Sequence, residues 1–219
     1  MTKSPPDNRC RLILVVPPIQ TALELARLEA ALAGGDVATL IIPQYGLDDG
    51  SYEAMLSQWT PFAQEKGVAV VGAAEKRLLM RHSLDGMHLV AGASEVRQFV
   101  ETQIDNLIVG ASCGPTRHAA LELGEARPDY VFLGKFGGDT HGDVHPKYSE
   151  LARWWAEMIE IPGVLLAGSR VESVEVAAST GVDFVALSSA VFGDQTDDPG
   201  EIVRLANAIL EKYPLAHED

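Results

Sequence analysis

Residues 164–187 read VLLAGSRVESVEVAASTGVDFVAL, and this stretch contains the structural unit that recurs along the chain. It consists of an apolar run at 164–167, an amphipathic segment at 171–179 and a second, largely apolar run at 183–187. The runs are continuous rather than alternating, which is typical of strands that are covered on both faces. A strand, a helix and another strand in succession predict a crossover between parallel strands.

The same unit recurs in both directions from this stretch. Strict alternation fits a compact (β/α)8 TIM barrel, with a doubly wound open sheet as the alternative. We expect a single domain over 1–219, with loose polar ends at about 1–9 and 214–219. The remaining predicted strands are 12–16, 37–42, 68–72, 87–90, 107–110 and 130–134, and the helices are 19–33, 52–66, 74–82, 94–102, 116–126, 148–159, 171–179 and 200–212.

The composition limits the classes of partner. The 219 residues include 17 basic and 31 acidic side chains, which gives a formal charge of −14. Such a chain repels nucleic acids and anionic membranes, although local donors can still hold a small phosphorylated substrate.

Cys10 and Cys113 are too few for a disulfide framework, so we expect a cytoplasmic protein with reduced thiols. No apolar stretch approaches the ~18 residues of a membrane span, and a homodimer is left open.

The turns after the last two predicted strands are candidates for phosphate binding. In a TIM barrel these loops commonly bind phosphate through backbone N–H groups. Gly168 and Ser169 follow strand seven, and Ser188 and Ser189 follow strand eight. Gly168 has no Cβ to keep an anion from the backbone, and the two serines offer hydroxyl and amide donors. The alternative is that these residues form an ordinary tight turn and a helix N-cap.

The loop after strand six is the longest, and residues 135–147 read KFGGDTHGDVHPK. Its glycines favour a mobile lid, and Lys135 and Lys147 are point charges that can meet phosphate oxygens. Four potential ligands alternate along it, so a metal cluster is one interpretation and a solvated loop is the favoured one. These residues are Asp139, His141, Asp143 and His145.

Three further polar or reactive side chains lie in predicted strand four or directly after predicted strand five. Ser112 follows predicted strand five and is expected to point a hydroxyl group toward the barrel mouth. Cys113 has no histidine partner in the sequence, which argues against a cysteine nucleophile. His88 lies inside an apolar strand, where a hydrogen-bonded core histidine is the favoured interpretation.

Four segments, taken in order and spacing, resemble the thiamine-phosphate synthase family, which also contains the thiazole tautomerases. The resemblance extends over about 85–193 and implies a (β/α)8 barrel. The segments are DGMHL at 85–89, IVGAS at 108–112, DYVFLG at 129–134, and IPGVLLAG at 161–168 together with GVDFVALSSA at 181–190.

The resemblance implies a transferase of thiamine biosynthesis. A family synthase joins hydroxymethylpyrimidine diphosphate to a thiazole phosphate, and pyrophosphate leaves with Mg²⁺ assistance. By resemblance, Ser112 contacts the pyrophosphate side, while Thr140 and Lys147 are what remains of the family's lid pattern G-P-x-F-x-T-x-T-K. We therefore take Ser112, Thr140 and Lys147 as candidate catalytic residues. The thiazole phosphate is assigned to Gly168, Ser169, Ser188 and Ser189.

The chain departs from the family at the diphosphate side. The family's Asn-Asp pair, whose Asp helps to hold Mg²⁺, falls at about Ala73 and Ala74, and its second Mg²⁺-binding Asp falls at Ala93. Its Arg-x-Lys falls at Pro43-Gln-Tyr45, and the tautomerase histidine falls at about Gly114. These changes remove hard oxygen ligands and cations. We expect Mg²⁺ only if diphosphate chemistry is retained, with Asp139, Asp143 or Glu75 as replacement ligands.

Three hypotheses of function remain open at this point. The first is a synthase with a rearranged diphosphate site. The second is a divergent relative that isomerises, or only binds, a phosphorylated heterocycle. The third is a barrel that serves as an interaction scaffold. No metal site is assigned.

Overall fold

Eight parallel strands close into a barrel in which each strand pairs with its neighbours in sequence and the last pairs with the first. The computed structural model describes residues 9–18, 25–102, 107–194 and 196–214. The predicted TIM barrel is therefore confirmed, and the open sheet is excluded. The strands are β1 (Arg11–Val15), β2 (Thr39–Pro43), β3 (Ala69–Ala73), β4 (Gly86–Leu89), β5 (Ile108–Cys113), β6 (Tyr130–Leu133), β7 (Gly163–Leu166) and β8 (Phe184–Leu187).

Helices follow the strands and surround the barrel. Among the described residues none is long and apolar enough to span a membrane. The helices are α1 (Leu25–Ala33), α2 (Asp49–Glu65), α3 (Lys76–Leu79), α4 (Ala93–Thr102), α5 (Arg117–Gly124), α6 (Pro146–Met158), α7 (Ser173–Ala178), α8 (Ser189–Phe192) and α9 (Pro199–Leu210).

Most element boundaries lie within one to three residues of the predictions, and three differences concern the elements themselves or the site. The prediction of a third helix over 74–82 was too long, because turns replace helix after Leu79. The short α8 is additional, since four residues are too few to show a helical period. β5 continues to Cys113, whereas we predicted its end at Gly110. The predicted first helix began at 19, and its residues 19–24 lie outside the described residues.

Apolar side chains fill two layers, one inside the barrel and one between the strands and the helices. The outer layer includes Trp59 and Trp155, both almost completely buried. The inner layer makes the barrel a packed scaffold rather than a channel, so a ligand has access only at its ends. The inner layer consists of Ile13, Val15, Ile41, Val71, Ala73, Tyr130, Phe132, Val164, Leu166 and Ala186.

An aspartate precedes each of β4, β6 and β8 and accepts a hydrogen bond from the backbone of the preceding strand. These aspartates belong to the segments quoted above, but they lie at the amino ends of the strands, opposite the rim where TIM barrels place their sites. Their role there is to satisfy strand N–H groups. The bonds are Asp85 with Val70 N at 2.7 Å, Asp129 with Val109 N at 2.7 Å and Asp183 with Gly163 N at 2.8 Å.

Ordered structure reaches into both predicted loose ends. Arg9 forms an antiparallel bridge with Pro214. The guanidinium groups of Arg9 and Arg11 both donate to the carboxylate of Asp36, at 2.9 and 2.8 Å. The rest of the two predicted ends, 1–8 and 215–219, lies outside the described residues.

Candidate functional site

The β6–α6 segment, residues 134–145, lies against loops from both sides of the barrel mouth. A Cβ on Gly137 would be 2.7 Å from Pro18 Cγ, in the loop after β1. The carbonyl group of Gly142 lies directly against Gly168, where any Cβ would overlap it. The segment therefore covers the carboxyl end of the barrel, which is the end that carries active sites in this fold.

The predicted phosphate-binding residues lie together, and three of their N–H groups already have protein acceptors. Gly168 N donates to Ser173 Oγ at 2.9 Å. Ser169 N donates to the carbonyl oxygen of His141 at 2.8 Å. A phosphate ester would therefore have to compete with these contacts or replace them.

The third amide group, that of Ser189, donates to the carboxylate of Asp139 at 2.6 Å. Asp139 is only 5% exposed, and its other oxygen, Oδ1, is buried with no hydrogen-bond partner among the described residues. The same holds for Ser188 Oγ within this part of the chain. Burial, together with the charge of Asp139, raises the pKa of the nearby Tyr45. A carboxylate of the β6–α6 segment thus bonds to an amide group that we assigned to phosphate.

Ser112 lies inside the barrel wall rather than beyond the end of its strand. Because β5 continues to Cys113, the Ser112 side chain belongs to the interior and its Oγ is 2.8 Å from His88 Nε2. The expectation that Ser112 simply follows the strand is corrected by this extension. The other ring nitrogen of His88, Nδ1, is 2.9 Å from the hydroxyl group of Tyr130.

His88 is completely buried, as predicted for a core histidine. Its ring packs against Phe132 and Phe136, with ring centroids 5.7 and 4.7 Å apart. Phe136 belongs to the β6–α6 segment, which therefore covers His88 from the barrel mouth. Desolvation lowers the pKa of His88 to about 3, so its imidazole ring is neutral at pH 7. Desolvation raises the pKa of Cys113 to about 11, which keeps that thiol protonated.

A cavity of about 710 Å³ lies under the β6–α6 segment. Lys135 and Lys147 line it, as do His141 and His145. Lys147 was a predicted catalytic residue, and it lies in the first turn of α6. Thr140 was also predicted to be catalytic. Its side chain is exposed, and its Oγ1 is 3.0 Å from His141 Nδ1. The structure thus places Lys147 on a cavity, while Ser112 is inside the barrel and Thr140 is on the surface.

The alternating acids and histidines of the β6–α6 segment do not converge. Within the described ranges, no group of three or more His, Cys, Asp or Glu side chains is arranged to hold a metal ion. Asp143 forms an ion pair with Arg170 at 2.7 Å, and His145 packs edge-on against Tyr148. Each side chain has a different neighbour, because the segment is folded rather than extended.

The Mg²⁺ that the resemblance implies does not fit the residues present. Ala73 ends β3, Ala74 follows it and Ala93 begins α4, and none of them offers an oxygen ligand from its side chain. The three predicted replacements are already engaged. Asp139 bonds to Ser189 N, Asp143 to Arg170 and Glu75 to Arg77.

Comparison with known proteins gives a consistent result. The family model described as thiamine monophosphate synthase matches residues 12–191. The thiamine-phosphate synthase of Rhodospirillum centenum is 34% identical over 84% of this chain and 89% of its own length. That of Hyphomonas neptunium is 33% identical over 94% of this chain and 96% of its own length.

A solved structure shares the fold. The thiamine phosphate pyrophosphorylase from Pyrococcus furiosus superposes with a TM-score of 0.76 at 20% identity, and the alignment covers 94% of this chain and 98% of that one. At this identity the likeness shows the barrel architecture, whereas the relationship itself rests on the sequence matches. The chain therefore belongs to the thiamine monophosphate synthase family.

Proposed function

We propose that this protein joins a hydroxymethylpyrimidine diphosphate to a thiazole phosphate, forming thiamine phosphate and pyrophosphate. The observation that carries the proposal is the match to the Hyphomonas neptunium thiamine-phosphate synthase, which extends over 96% of that relative. A match of this extent includes every strand end from which a TIM-barrel site is built. The substrates are small phosphorylated molecules, and we place the protein in the cytoplasm because both cysteines are free and buried.

The reaction makes two demands on the protein. The C–O bond to the diphosphate breaks, and its electron pair leaves with pyrophosphate. The thiazole nitrogen then donates its lone pair to the resulting cationic carbon and forms the C–N bond. The protein must therefore stabilise negative charge on the leaving group and hold the two substrates together. Lys135 and Lys147 supply positive charge from the cavity lining, and Ser112, which contacts His88 inside the barrel, is assigned the role of a hydroxyl donor.

The thiazole phosphate is assigned to the loops after β7 and β8, at Gly168, Ser169, Ser188 and Ser189. Binding there requires the β6–α6 segment to move, because Asp139 bonds to Ser189 and Gly142 covers Gly168. No step is assigned to a metal ion, since the residues at the family's metal positions do not fit one.

The proposal is tested by calorimetry followed by product detection. The thiazole phosphate is titrated into the full chain, then the pyrimidine diphosphate, each with and without Mg²⁺. Both substrates are then mixed, and thiamine phosphate and pyrophosphate are measured by mass spectrometry. We expect both to bind and product to form. Binding of the thiazole phosphate without diphosphate binding or product would contradict the proposal and support a divergent relative. Binding of neither would support an interaction scaffold.

A further inference from the structure

The interior of the barrel contains a chain of three hydrogen-bonding side chains on adjacent strands. His88 on β4 is the register partner of Gly110 on β5, and Gly110 is the partner of Tyr130 on β6. A Cβ on Gly110 would overlap the ring of Tyr130. The Tyr130 ring therefore lies across Gly110, and this is how its hydroxyl group comes within 2.9 Å of His88 Nδ1.

The other nitrogen of the imidazole ring contacts a side chain that is not fully buried. His88 Nε2 is 2.8 Å from Ser112 Oγ, and Ser112 is partly exposed. Because the imidazole is neutral and buried, one of its nitrogens carries a proton and the other accepts one. Two arrangements satisfy both distances, and they differ in whether Ser112 donates to His88 or accepts from it.

The Tyr130 hydroxyl group decides between the two arrangements. Burial raises the pKa of Tyr130, so the hydroxyl keeps its proton. Within the described part of the chain, His88 Nδ1 is its only hydrogen-bond partner. If Nδ1 carried the histidine proton, the Tyr130 proton would be buried without an acceptor, which is unfavourable. Tyr130 therefore donates to Nδ1, and the histidine proton resides on Nε2.

We infer that Tyr130 and His88 are positioning residues that fix Ser112 as a hydrogen-bond donor to an anionic substrate. His88 Nε2–H donates to Ser112 Oγ, so the serine proton is directed away from His88. The serine proton is then available for a hydrogen bond to an oxygen of the leaving diphosphate. This role of Ser112 rests on the proposed function. The same arrangement excludes a nucleophilic serine, because His88 Nε2 has no free lone pair to accept the serine proton.

The direction of these hydrogen bonds is measurable without any substrate. We would record ¹⁵N chemical shifts of the histidine side chains in the full chain at pH 7, and identify His88 by the loss of its signals in His88→Asn. We expect a protonated Nε2 and an unprotonated Nδ1. A protonated Nδ1 would overturn the inference. Tyr130→Phe removes the donor, so we expect the single tautomer to be replaced by a mixture.

Tyr52→Phe is the matched control for loss of a buried hydroxyl group. Tyr52 is fully buried, and its hydroxyl group donates to the carbonyl of Ile42 at 2.6 Å, in a pairing that does not involve His88. We expect the His88 shifts to be unchanged in this variant. A change of the same size in both variants would mean that Tyr130 acts only through general packing, and would contradict the inference.

A double-mutant cycle on the reaction rate tests whether Tyr130 acts through Ser112. We expect Ser112→Ala to lower the coupling rate by roughly 100-fold, as for other single donors to a developing anion, and Tyr130→Phe to lower it about tenfold. The double variant should be no slower than Ser112→Ala alone, whereas multiplied losses would contradict the inference. An inactive wild type would contradict the proposed function alone, since the NMR measurement would still decide the direction of the hydrogen bonds.

Discussion

Asp139 accepts the backbone N–H of Ser189 at 2.6 Å, although the two residues are 50 positions apart in the chain. The bond ties the β6–α6 segment to the loop after β8. It also places a negative charge where our assignment puts the phosphate of a substrate. In the part of the chain that the structure describes, the second oxygen of Asp139 and the hydroxyl group of Ser188 are buried without hydrogen-bond partners.

The first prediction is that removing this carboxylate strengthens phosphate binding. In Asp139→Ala the Ser189 amide group is free and the repulsion of a phosphate dianion is gone. We expect about tenfold tighter binding of the thiazole phosphate, which corresponds to ~1.4 kcal/mol. Asp139→Asn keeps an acceptor but no charge, so its gain should be smaller. Calorimetry on the full chain measures both.

The control for this prediction is Asp143→Asn. Asp143 lies on the same segment, but it is exposed and pairs with Arg170. The affinity of the Asp143→Asn variant for the thiazole phosphate should stay within about twofold of wild type, because exposed charges are well screened. Weaker binding by Asp139→Ala would show that the carboxylate supports the ligand rather than competing with it.

The second prediction concerns the space that Gly110 leaves for Tyr130. A methyl group at Gly110 would overlap the tyrosine ring in the packed interior of the barrel. We expect Gly110→Ala to lower the free energy of unfolding by ~1–3 kcal/mol, the usual cost of overpacking. Urea denaturation gives the value. Gly46→Ala is the control, because no neighbouring side chain or backbone atom of the described residues lies within 4 Å of a Cβ at Gly46. Equal losses in both variants would contradict the packing argument.

The third prediction is a dependence of stability on pH that comes from His88. Burial lowers its pKa in the folded state to about 3, whereas an unfolded histidine titrates near 6.5. The unfolded state thus binds more protons below about pH 6.5, and acidification favours unfolding. The contribution of His88 is complete above that pH and is lost progressively as the pH falls toward 3.

Between pH 4 and 6, His88 should contribute a slope of ~1.4 kcal/mol per pH unit to the free energy of unfolding. Subtracting the pH profile of His88→Asn from that of wild type isolates this contribution. His118→Asn is the control, because His118 is exposed on α5. The prediction fails if the wild-type and His88→Asn profiles run parallel over this range.

The fourth prediction concerns the positive charge of the cavity. Lys147 lines the space of about 710 Å³ under the β6–α6 segment. Lys147→Met keeps most of the side-chain volume and removes the charge, so we expect the KM for the pyrimidine diphosphate to rise about tenfold, or ~1.4 kcal/mol. Steady-state kinetics at fixed ionic strength measures it. Lys212→Met, beyond the end of α9, should leave the KM unchanged, and a similar rise in both variants would mean that only net charge matters.

The end of β5 was predicted wrongly because its last residues break the apolar pattern. Ser112 and Cys113 do not continue the run that ends at Gly110, although they are part of the strand. A serine hydroxyl can lie inside the barrel here because His88 satisfies it. That partner is on another strand, 24 positions away, and nothing near Ser112 in the sequence indicates it.

The β6–α6 segment shows the same limit at the candidate site. Its length and glycines indicated a loop over the barrel mouth, which the structure places there. The alternation of Asp139, His141, Asp143 and His145 predicts one shared side for an extended loop, but the segment folds and each side chain faces a different neighbour. A period of two gives the direction of side chains only in an extended chain.

The sequence by itself determined that strands alternate with crossover helices, because continuous apolar runs need cover on both faces of the sheet. It left a closed barrel and an open sheet as alternatives, and the pairing of β1 with β8 in the structure decided between them. The sequence also identified Gly168 and Ser189 as neighbours at the barrel rim. Only the tertiary structure decided what their amide groups contact and how Tyr130 reaches His88. Those contacts depend on strand register and on the path of a loop, which join residues that are far apart in the chain and carry no periodic signal.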